Sequence, residues 1–261
     1  MTRLIQRLAQ DSQVKLPPHL LSCPLYEVVM GSWAFGTASD KSDYDVYGFF
    51  VHGPTPDASQ LEEFRAINLV IETAIFAGQS NEKRDCDIVL YPLATFFERC
   101  IAGKSQSIET LFVDDGNIIT TSEAARLIRD NRHLFLSKET ARAFQEFAKQ
   151  QIEGMVSRRF AVERKATIEA FGFDVKAGYH SVRLLNEARQ LLREGTLDLR
   201  SSRDMLLEIR KGLWTEQEVV AYCNELSSEL DSIYDGSSLP DQLDEIRLKQ
   251  LLNACLAPAD K

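Results

Sequence analysis

The residues best suited to chemistry lie in one short segment, MGSWAFGTASDKSDYDVYGFF, which spans residues 30–50. An apolar run ends at the pair Gly31-Ser32, and two carboxylates follow at Asp43 and Asp45. If the apolar run is a strand, Gly31 permits a sharp turn and Ser32 begins a helix whose free N–H groups favour an anion such as phosphate. The segment therefore predicts a phosphate-binding turn followed by an acidic strand.

Asp43 and Asp45 fall at alternate positions of the predicted strand DYDVYGFF, so both face the same side of the sheet. Two carboxylates about 7 Å apart along a strand repel each other unless a cation lies between them. Oxygen-only ligands suit Mg²⁺ or Mn²⁺, which also bind phosphate oxygens. The alternative is a pair of solvated aspartates at the start of a strand. The Gly-Ser turn ten residues earlier favours metal-assisted chemistry on a nucleotide instead.

The same residues resemble the signature of the DNA polymerase β-like nucleotidyltransferases. That signature begins with an apolar residue, Gly, and then Gly or Ser. After nine to thirteen further residues it continues with Asp, an apolar residue, Asp or Glu, and another apolar residue. Met30-Gly31-Ser32, ten intervening residues and Asp43-Tyr44-Asp45-Val46 match it. The longer string is similar to a branch of predicted nucleotidyltransferases encoded near bacterial RNA-repair genes. Positions shared with that branch are Gly31, Ser32, Ala34, Phe35, Gly36, Ser42, Asp43, Asp45 and Gly48.

The resemblance implies a mixed sheet with flanking helices and a third carboxylate on a later strand. Asp85 and Asp87 are both candidates, and alternation alone leaves the two open because both point to one face of a strand. We choose Asp87, because the family's strand reads Asp-apolar-x-apolar-Tyr before a helix, as Asp87 to Tyr91 does.

The implied chemistry is phosphoryl transfer with two Mg²⁺ or Mn²⁺ ions as cofactors. The resemblance implies that Asp43 and Asp45 bridge both ions, while Asp87 holds mainly the ion that activates the acceptor hydroxyl. Ser32 and the N–H groups after Gly31 are expected to hold the β and γ phosphates.

A second cluster of polar side chains lies in the segment FGFDVKAGYHSVRLLNEARQLLREG. Lys176, His180 and Arg183 fall at i, i+4 and i+7, so they share one face of a predicted helix. A solvated polar stripe has the same spacing. The family branch carries a similar string, D-x-K-x-[A/G]-x-H-x-x-R-L, which implies that these three residues bind nucleotide.

The predicted fold class is α+β: an N-terminal mixed sheet of the polymerase β-like palm type, followed by a helical C-terminal unit. Short β-rich runs end near Leu93, and the chain after Pro92 is almost entirely helical in pattern. We expect a nucleotidyltransferase domain over 1–120 and a helical domain over 121–261 that contributes to the substrate cleft. Helices are expected from Pro92, from Ser122, over 138–170, over 174–193 with a stop at Gly195, from Thr215 and from Pro240.

Composition excludes several classes of protein. The formal net charge of −9 argues against a surface that coats nucleic acid, although residues 158–189 hold seven basic and four acidic side chains. No apolar run is long enough to cross a bilayer, which predicts a cytoplasmic protein without a membrane partner. Five scattered cysteines give no zinc or disulfide spacing and are expected to be reduced and near the core. The oligomeric state is not set by the sequence.

Pattern and resemblance together predict an enzyme that moves a nucleoside monophosphate from an NTP, such as ATP, to an acceptor hydroxyl and releases pyrophosphate. By family context, an RNA end, including tRNA, is the favoured acceptor. Two alternatives stay open: a protein-modifying, AMPylation-type enzyme, and a non-catalytic regulator that binds nucleotide. The Asp-x-Asp motif of a glycosyltransferase is a third interpretation, which the Gly-Ser turn disfavours.

Overall fold

The computed structural model describes Cys23 and residues 25–40, 42–51, 69–76, 83–158, 162 and 164–257, with backbone alone at 69–76 and 83–86. These residues form five strands: β1 (Leu25–Val29), β2 (Tyr44–Phe50), β3 (Leu69–Phe76), β4 (Lys83–Pro92) and β5 (Ile118–Thr120). The helices in the described ranges are α1 (Gly31–Ala34), α2 (Leu93–Ile101), α3 (Ser105–Phe112), α4 (Glu123–Asp130), α5 (Lys138–Val156), α6 (Lys165–Phe171), α7 (Val175–Glu194), α8 (Arg203–Arg210), α9 (Glu216–Ile233) and α10 (Glu245–Leu256). The predicted α+β class is confirmed.

The strands form one mixed sheet in the order β3-β4-β2-β1-β5. β2 and β4 run parallel, and the other neighbours are antiparallel. Tyr26 of β1 lies opposite Phe49 of β2, and their rings are 5.2 Å apart. Phe96 of α2 lies 4.8 Å from Phe49. Since opposed residues share a face, α2 covers the face of the sheet that carries these rings.

The chain divides into two compact units. The first comprises residues 1–100, 106–134 and 244–261, and the second comprises 101–105 and 135–243. The first unit therefore contains the sheet and also the last helix, α10, which packs against α4. There the Sγ of Cys255 donates to the carbonyl oxygen of Ala124.

The second unit is built around α7, which packs against both α5 and α9. Almost every side of this helix is buried, as expected for a central helix of a bundle. Asp174 caps its N-terminus by accepting from Ala177 N, and Gly195 ends it with φ of 64°. At Gly178 an added Cβ would lie 3.3 Å from Val219, so this glycine allows α9 to approach closely.

The predicted helix starts at Ser122 and Thr215 are confirmed, and each side chain accepts a hydrogen bond from its own first turn. Two helix predictions are wrong. The pattern over 138–170 forms two helices, because α5 ends at Val156 and Arg158 adopts a left-handed φ of 55°. The last helix begins at Glu245, capped by Asp244, and not at Pro240.

No helix in the described ranges has the length and apolarity required to cross a bilayer. The described cysteine side chains, at Cys23, Cys100, Cys223 and Cys255, are buried, and none of these four forms a disulfide.

Candidate active site

The turn after β1 is tied by its backbone to the start of β2. Met30 N donates to Asp45 O at 2.7 Å, which joins the residue before the turn to the acidic strand. Thr37 N donates to Ser32 O at 2.8 Å and closes the short segment around α1. Ser32 therefore lies in a compact turn whose position relative to β2 is fixed by main-chain hydrogen bonds.

Gly31 is in direct contact with the carboxylate of Asp45. Its φ is 59°, a left-handed conformation that side chains with a Cβ rarely adopt. An added Cβ would lie 1.9 Å from Asp45 Oδ2, a distance that no real contact allows. The glycine is therefore required both by its backbone angle and by the space that the carboxylate occupies.

The parallel pairing of β2 with β4 places Asp87 opposite Asp45. Asp43 precedes β2 by one residue, and both Asp43 and Asp87 are exposed, while Asp45 is partly buried. The backbone of Asp85 pairs with Ala74 of β3, and the Asp85 side chain lies outside the described part of the structure. The fold thus places the backbone of the predicted third acidic residue, Asp87, opposite Asp45 from a strand distant in sequence.

Within the described residues, no group of three Asp, Glu, His or Cys side chains is close enough to form a metal site. The backbones of Asp43, Asp45 and Asp87 are therefore neighbours, but their carboxylates do not converge on one point. Their donor chemistry, oxygen alone, is that of a Mg²⁺ or Mn²⁺ site. Because residue 31 is a glycine, no Cβ at that position occupies the space beside the Asp45 carboxylate. The types of these residues and the positions of their backbones are thus compatible with binding of a divalent ion.

Tyr47 is a member of this site that the sequence analysis missed. It follows Asp45 by two residues on β2, so its side chain lies on the same face. Burial, and then the negative charge of Asp45, raise the pKa of the Tyr47 phenol to about 12, and Tyr91 and Asp87 add to the effect. The Gln106 side chain acts in the opposite direction and lowers the pKa of the phenol. A protonated hydroxyl therefore lies beside the acidic pair, and alternation from Asp45 was the signal for it.

Trp33 is a second residue that the sequence analysis missed. Its Nε1 donates to Asp43 O at 3.0 Å, and its ring stacks on Tyr44 at 5.0 Å between centroids, with the planes 5° apart. These two contacts fasten α1 to the beginning of β2. Sequence spacing gave no signal for these contacts, because they join Trp33 in the turn to Asp43 and Tyr44, which come ten or more positions later.

The predicted cluster of the helical unit lies on α7 as the spacing requires. Lys176 is exposed, His180 is partly buried and Arg183 is buried. The Nη1 of Arg183 donates to both carboxylate oxygens of Glu187, at 3.0 and 2.9 Å. In the described part of the chain, neither Lys176 nor His180 has a hydrogen-bond partner.

His180 lies in a strongly positive environment. Burial lowers the pKa of its imidazole to about 3, and four cations act in the same direction: Arg183, Lys176, Arg164 and Arg210, in falling order. Arg164 also donates to both oxygens of Asp174, the N-cap of α7. The imidazole is therefore neutral at physiological pH. Arg164 and Arg210 lie outside α7, so the helical spacing gave no signal for their effect on His180.

Comparisons with known proteins identify the family to which this chain belongs. Among solved structures, a nucleotidyltransferase-like protein from Exiguobacterium sibiricum matches with 12% identity and a TM-score of 0.32, over 87% of this chain and 73% of that one. No curated protein matches the sequence. The family model RlaP, described as the RNA repair pathway DNA polymerase beta family, matches residues 5–254. The resemblance inferred from the Gly-Ser turn and the acidic strand is thereby confirmed, and the chain belongs to the RNA repair pathway DNA polymerase beta family.

Proposed function

We propose that this chain is a metal-dependent nucleotidyltransferase that moves a nucleoside monophosphate from an NTP to an acceptor hydroxyl and releases pyrophosphate. Family membership supports a nucleotidyltransferase role. The main structural support for metal-dependent nucleotide transfer is that Asp87 lies opposite Asp45 and that Gly31 packs against the Asp45 carboxylate. This arrangement combines a glycine-serine turn with acidic residues on neighbouring strands.

In this proposal Asp43, Asp45 and Asp87 hold two Mg²⁺ or Mn²⁺ ions. When bound, the ions neutralise charge on the triphosphate and make the acceptor hydroxyl a better nucleophile. The side chains must turn toward one another to share an ion, and rotation between staggered states is readily available to exposed carboxylates such as Asp43 and Asp87.

Other side chains of the first unit bind and position the donor. Ser32 and the N–H groups after Gly31 bind the β and γ phosphates, because this turn touches the Asp45 carboxylate and so lies beside the proposed metal ligands. Tyr47 keeps its proton at neutral pH and can donate a hydrogen bond to a phosphate or to a carboxylate. Phosphoryl transfer depends mainly on positioning and charge neutralisation, which these groups can supply.

Lys176, His180 and Arg183 stay predicted nucleotide-binding residues of the helical unit. The exposed ammonium of Lys176 and the neutral imidazole of His180 suit a phosphate, which accepts hydrogen bonds from both. Arg183 donates to Glu187 through Nη1, and its positive charge near His180 would attract a phosphate of the nucleotide. The predicted role of residues 121–261 in the substrate cleft and the cytoplasmic location are also still predictions.

The experiment incubates the protein with each α-labelled NTP, Mg²⁺ or Mn²⁺, and either total RNA or total protein, with Asp45→Ala as the control variant. The proposal predicts that label enters the RNA fraction with release of pyrophosphate, and that Asp45→Ala transfers none. Label in protein alone would identify a protein-modifying enzyme. Binding of NTP without release of pyrophosphate, in every fraction, would identify a nucleotide-binding regulator.

A further inference from the structure

We propose that Arg99 binds a phosphate of the acceptor, and that the acceptor is therefore a single-stranded nucleic acid. This inference rests on the proposed function and names its acceptor class. It begins from Tyr91, the last aromatic residue of β4, which lies four positions after Asp87 and so on the same face of the sheet. The guanidinium carbon of Arg99 lies over the Tyr91 ring, 4.4 Å from its centroid.

Tyr47 connects Arg99 and Tyr91 to the acidic pair. It follows Asp45 by two positions on β2 and so lies on the same face of the sheet. The register with β4 places Asp87 opposite Asp45, and Tyr91 opposite Phe49, the next residue of β2 on that face. On this face of the first unit, a polar strip therefore runs from the carboxylates of Asp45 and Asp87, past Tyr47, to Tyr91 and Arg99. Tyr47 and Tyr91 are both partly exposed and offer aromatic surface of the kind on which bases stack.

The guanidinium of Arg99 is held in place before any ligand arrives. Its Nε donates to the Ser107 hydroxyl at 3.1 Å, and the Tyr91 ring supports one of its faces. In the residues that the structure describes, no carboxylate pairs with Arg99. A fixed, partly buried guanidinium without an acidic partner is well suited to bind phosphate through its two terminal nitrogens.

The distance from the acids favours an oligonucleotide over a smaller acceptor. Asp87 and Tyr91 are four positions apart on β4, which is about 13 Å at the usual rise per residue. A phosphate bound by Arg99 and a hydroxyl that reacts beside Asp87 must therefore belong to an acceptor longer than a single nucleotide. An unmodified protein side chain brings no phosphate to Arg99, and a small phosphorylated acceptor is shorter than this distance. The net charge of −9 describes the whole chain, whereas the contact with phosphate involves one cation on one face of the sheet, so the two are compatible.

The test compares wild type with Arg99→Ala and Arg99→Lys, and with Arg126→Ala as a matched control, since Arg126 is an exposed arginine on α4. Transfer of nucleotide is measured with a mononucleotide and with eight-nucleotide single-stranded RNA as acceptors. We expect Arg99→Ala to raise KM for the RNA about tenfold, which corresponds to one lost contact. KM for the NTP and for the mononucleotide should stay at the wild-type value, and Arg126→Ala should behave as wild type.

Binding of the same RNA, labelled with a fluorophore and measured by anisotropy over a salt series, gives a readout that a purely structural role of Arg99 would not change. One lost phosphate contact lowers the slope of log K against log salt concentration by about 0.7 for a single strand. We expect this decrease in Arg99→Ala and the wild-type slope in Arg99→Lys, which keeps the charge. Thermal unfolding of each variant verifies that it is folded at the assay temperature.

The inference is overturned if Arg99→Ala binds RNA with the wild-type affinity and slope, or if KM rises equally for RNA and mononucleotide. It is also overturned if label enters protein and Arg99→Ala transfers it as wild type does. These results differ from failure of the proposed function, in which wild type transfers label from no NTP to any acceptor.

Discussion

Asp87 of β4 lies directly opposite Asp45 of β2 in the parallel pair at the centre of the sheet. The pairing joins two strands that are not consecutive in the chain, with β3 between them in sequence. It gives the first unit an acidic position on each of two adjacent strands, next to a turn that contacts one of the carboxylates. Three predictions follow from this relationship and from the contacts around it, and a fourth concerns His180 of the second unit.

Removing the charge of either opposed carboxylate is expected to abolish nucleotide transfer. Asp45→Asn and Asp87→Asn keep the side-chain volume but remove a metal ligand, so we expect kcat to fall at least about 100-fold. Steady-state assays of pyrophosphate release measure the loss. Asp40→Asn, an exposed aspartate in the same loop, should keep wild-type activity. If Asp85→Asn is inactive and Asp87→Asn is active, the third ligand is Asp85.

Gly31→Ala is expected to inactivate the protein by displacing the Asp45 carboxylate. The added Cβ would overlap Asp45 Oδ2, and the left-handed φ costs a further 1–2 kcal/mol or so of stability. Gly172→Ala separates the two effects, because Gly172 has a φ of 84° and open space around its Cβ position. Chemical denaturation should show a loss in both variants, while activity should be lost in Gly31→Ala alone. Wild-type activity in Gly31→Ala would contradict the contact with Asp45.

Trp33→Phe is expected to weaken metal activation and to cause a modest loss of stability. Phenylalanine can still stack on Tyr44, but it cannot donate the Nε1 hydrogen bond that holds the backbone of Asp43. We expect the Mg²⁺ concentration for half-maximal activity to rise several-fold and the free energy of unfolding to fall by about 1 kcal/mol. Trp214→Phe is a matched control, because it also loses an Nε1 hydrogen bond, to Glu208, in the helical unit. An equal change in both variants would exclude a specific role for Trp33.

Acid should destabilise the protein through His180. Its pKa is about 3 in the folded chain and about 6.5 when unfolded, so the unfolded state binds more protons between these values. The free energy of unfolding must therefore fall as the pH decreases from 7 to 5, by at most about 2 kcal/mol from this group. His180→Gln should lose less stability than wild type over this range in urea denaturation. An identical loss in both proteins would show that His180 is not buried in a positive environment.

Local patterns in the sequence were enough to predict the turn and the acidic strand. Gly31, Ser32 and the alternation of Asp43 with Asp45 are short-range features that need no knowledge of neighbouring strands. Capping residues such as Ser122 and Thr215 likewise mark helix starts because they bond within their own turn.

Contacts between distant segments could not be predicted from local patterns. The alternation of β4 allows Asp85 and Asp87 equally, and only the register with β2 shows which residue lies opposite Asp45. The pairing of Arg183 with Glu187 has the i, i+4 spacing of an exposed pair, and its burial depends on how the bundle packs around α7. No pattern indicates the end of α5 at Val156 or the left-handed conformation of Arg158 that follows it.

Titration with Mn²⁺ in the presence of a non-hydrolysable NTP analogue, followed by electron paramagnetic resonance, tests the proposed metal site most directly. We predict that wild type binds two Mn²⁺ ions per chain, that Asp45→Asn loses at least one of them, and that Asp40→Asn binds both. Wild type that binds no Mn²⁺ with the analogue present, or Asp45→Asn and Asp87→Asn variants that bind it as wild type does, would contradict the assignment of these carboxylates as metal ligands.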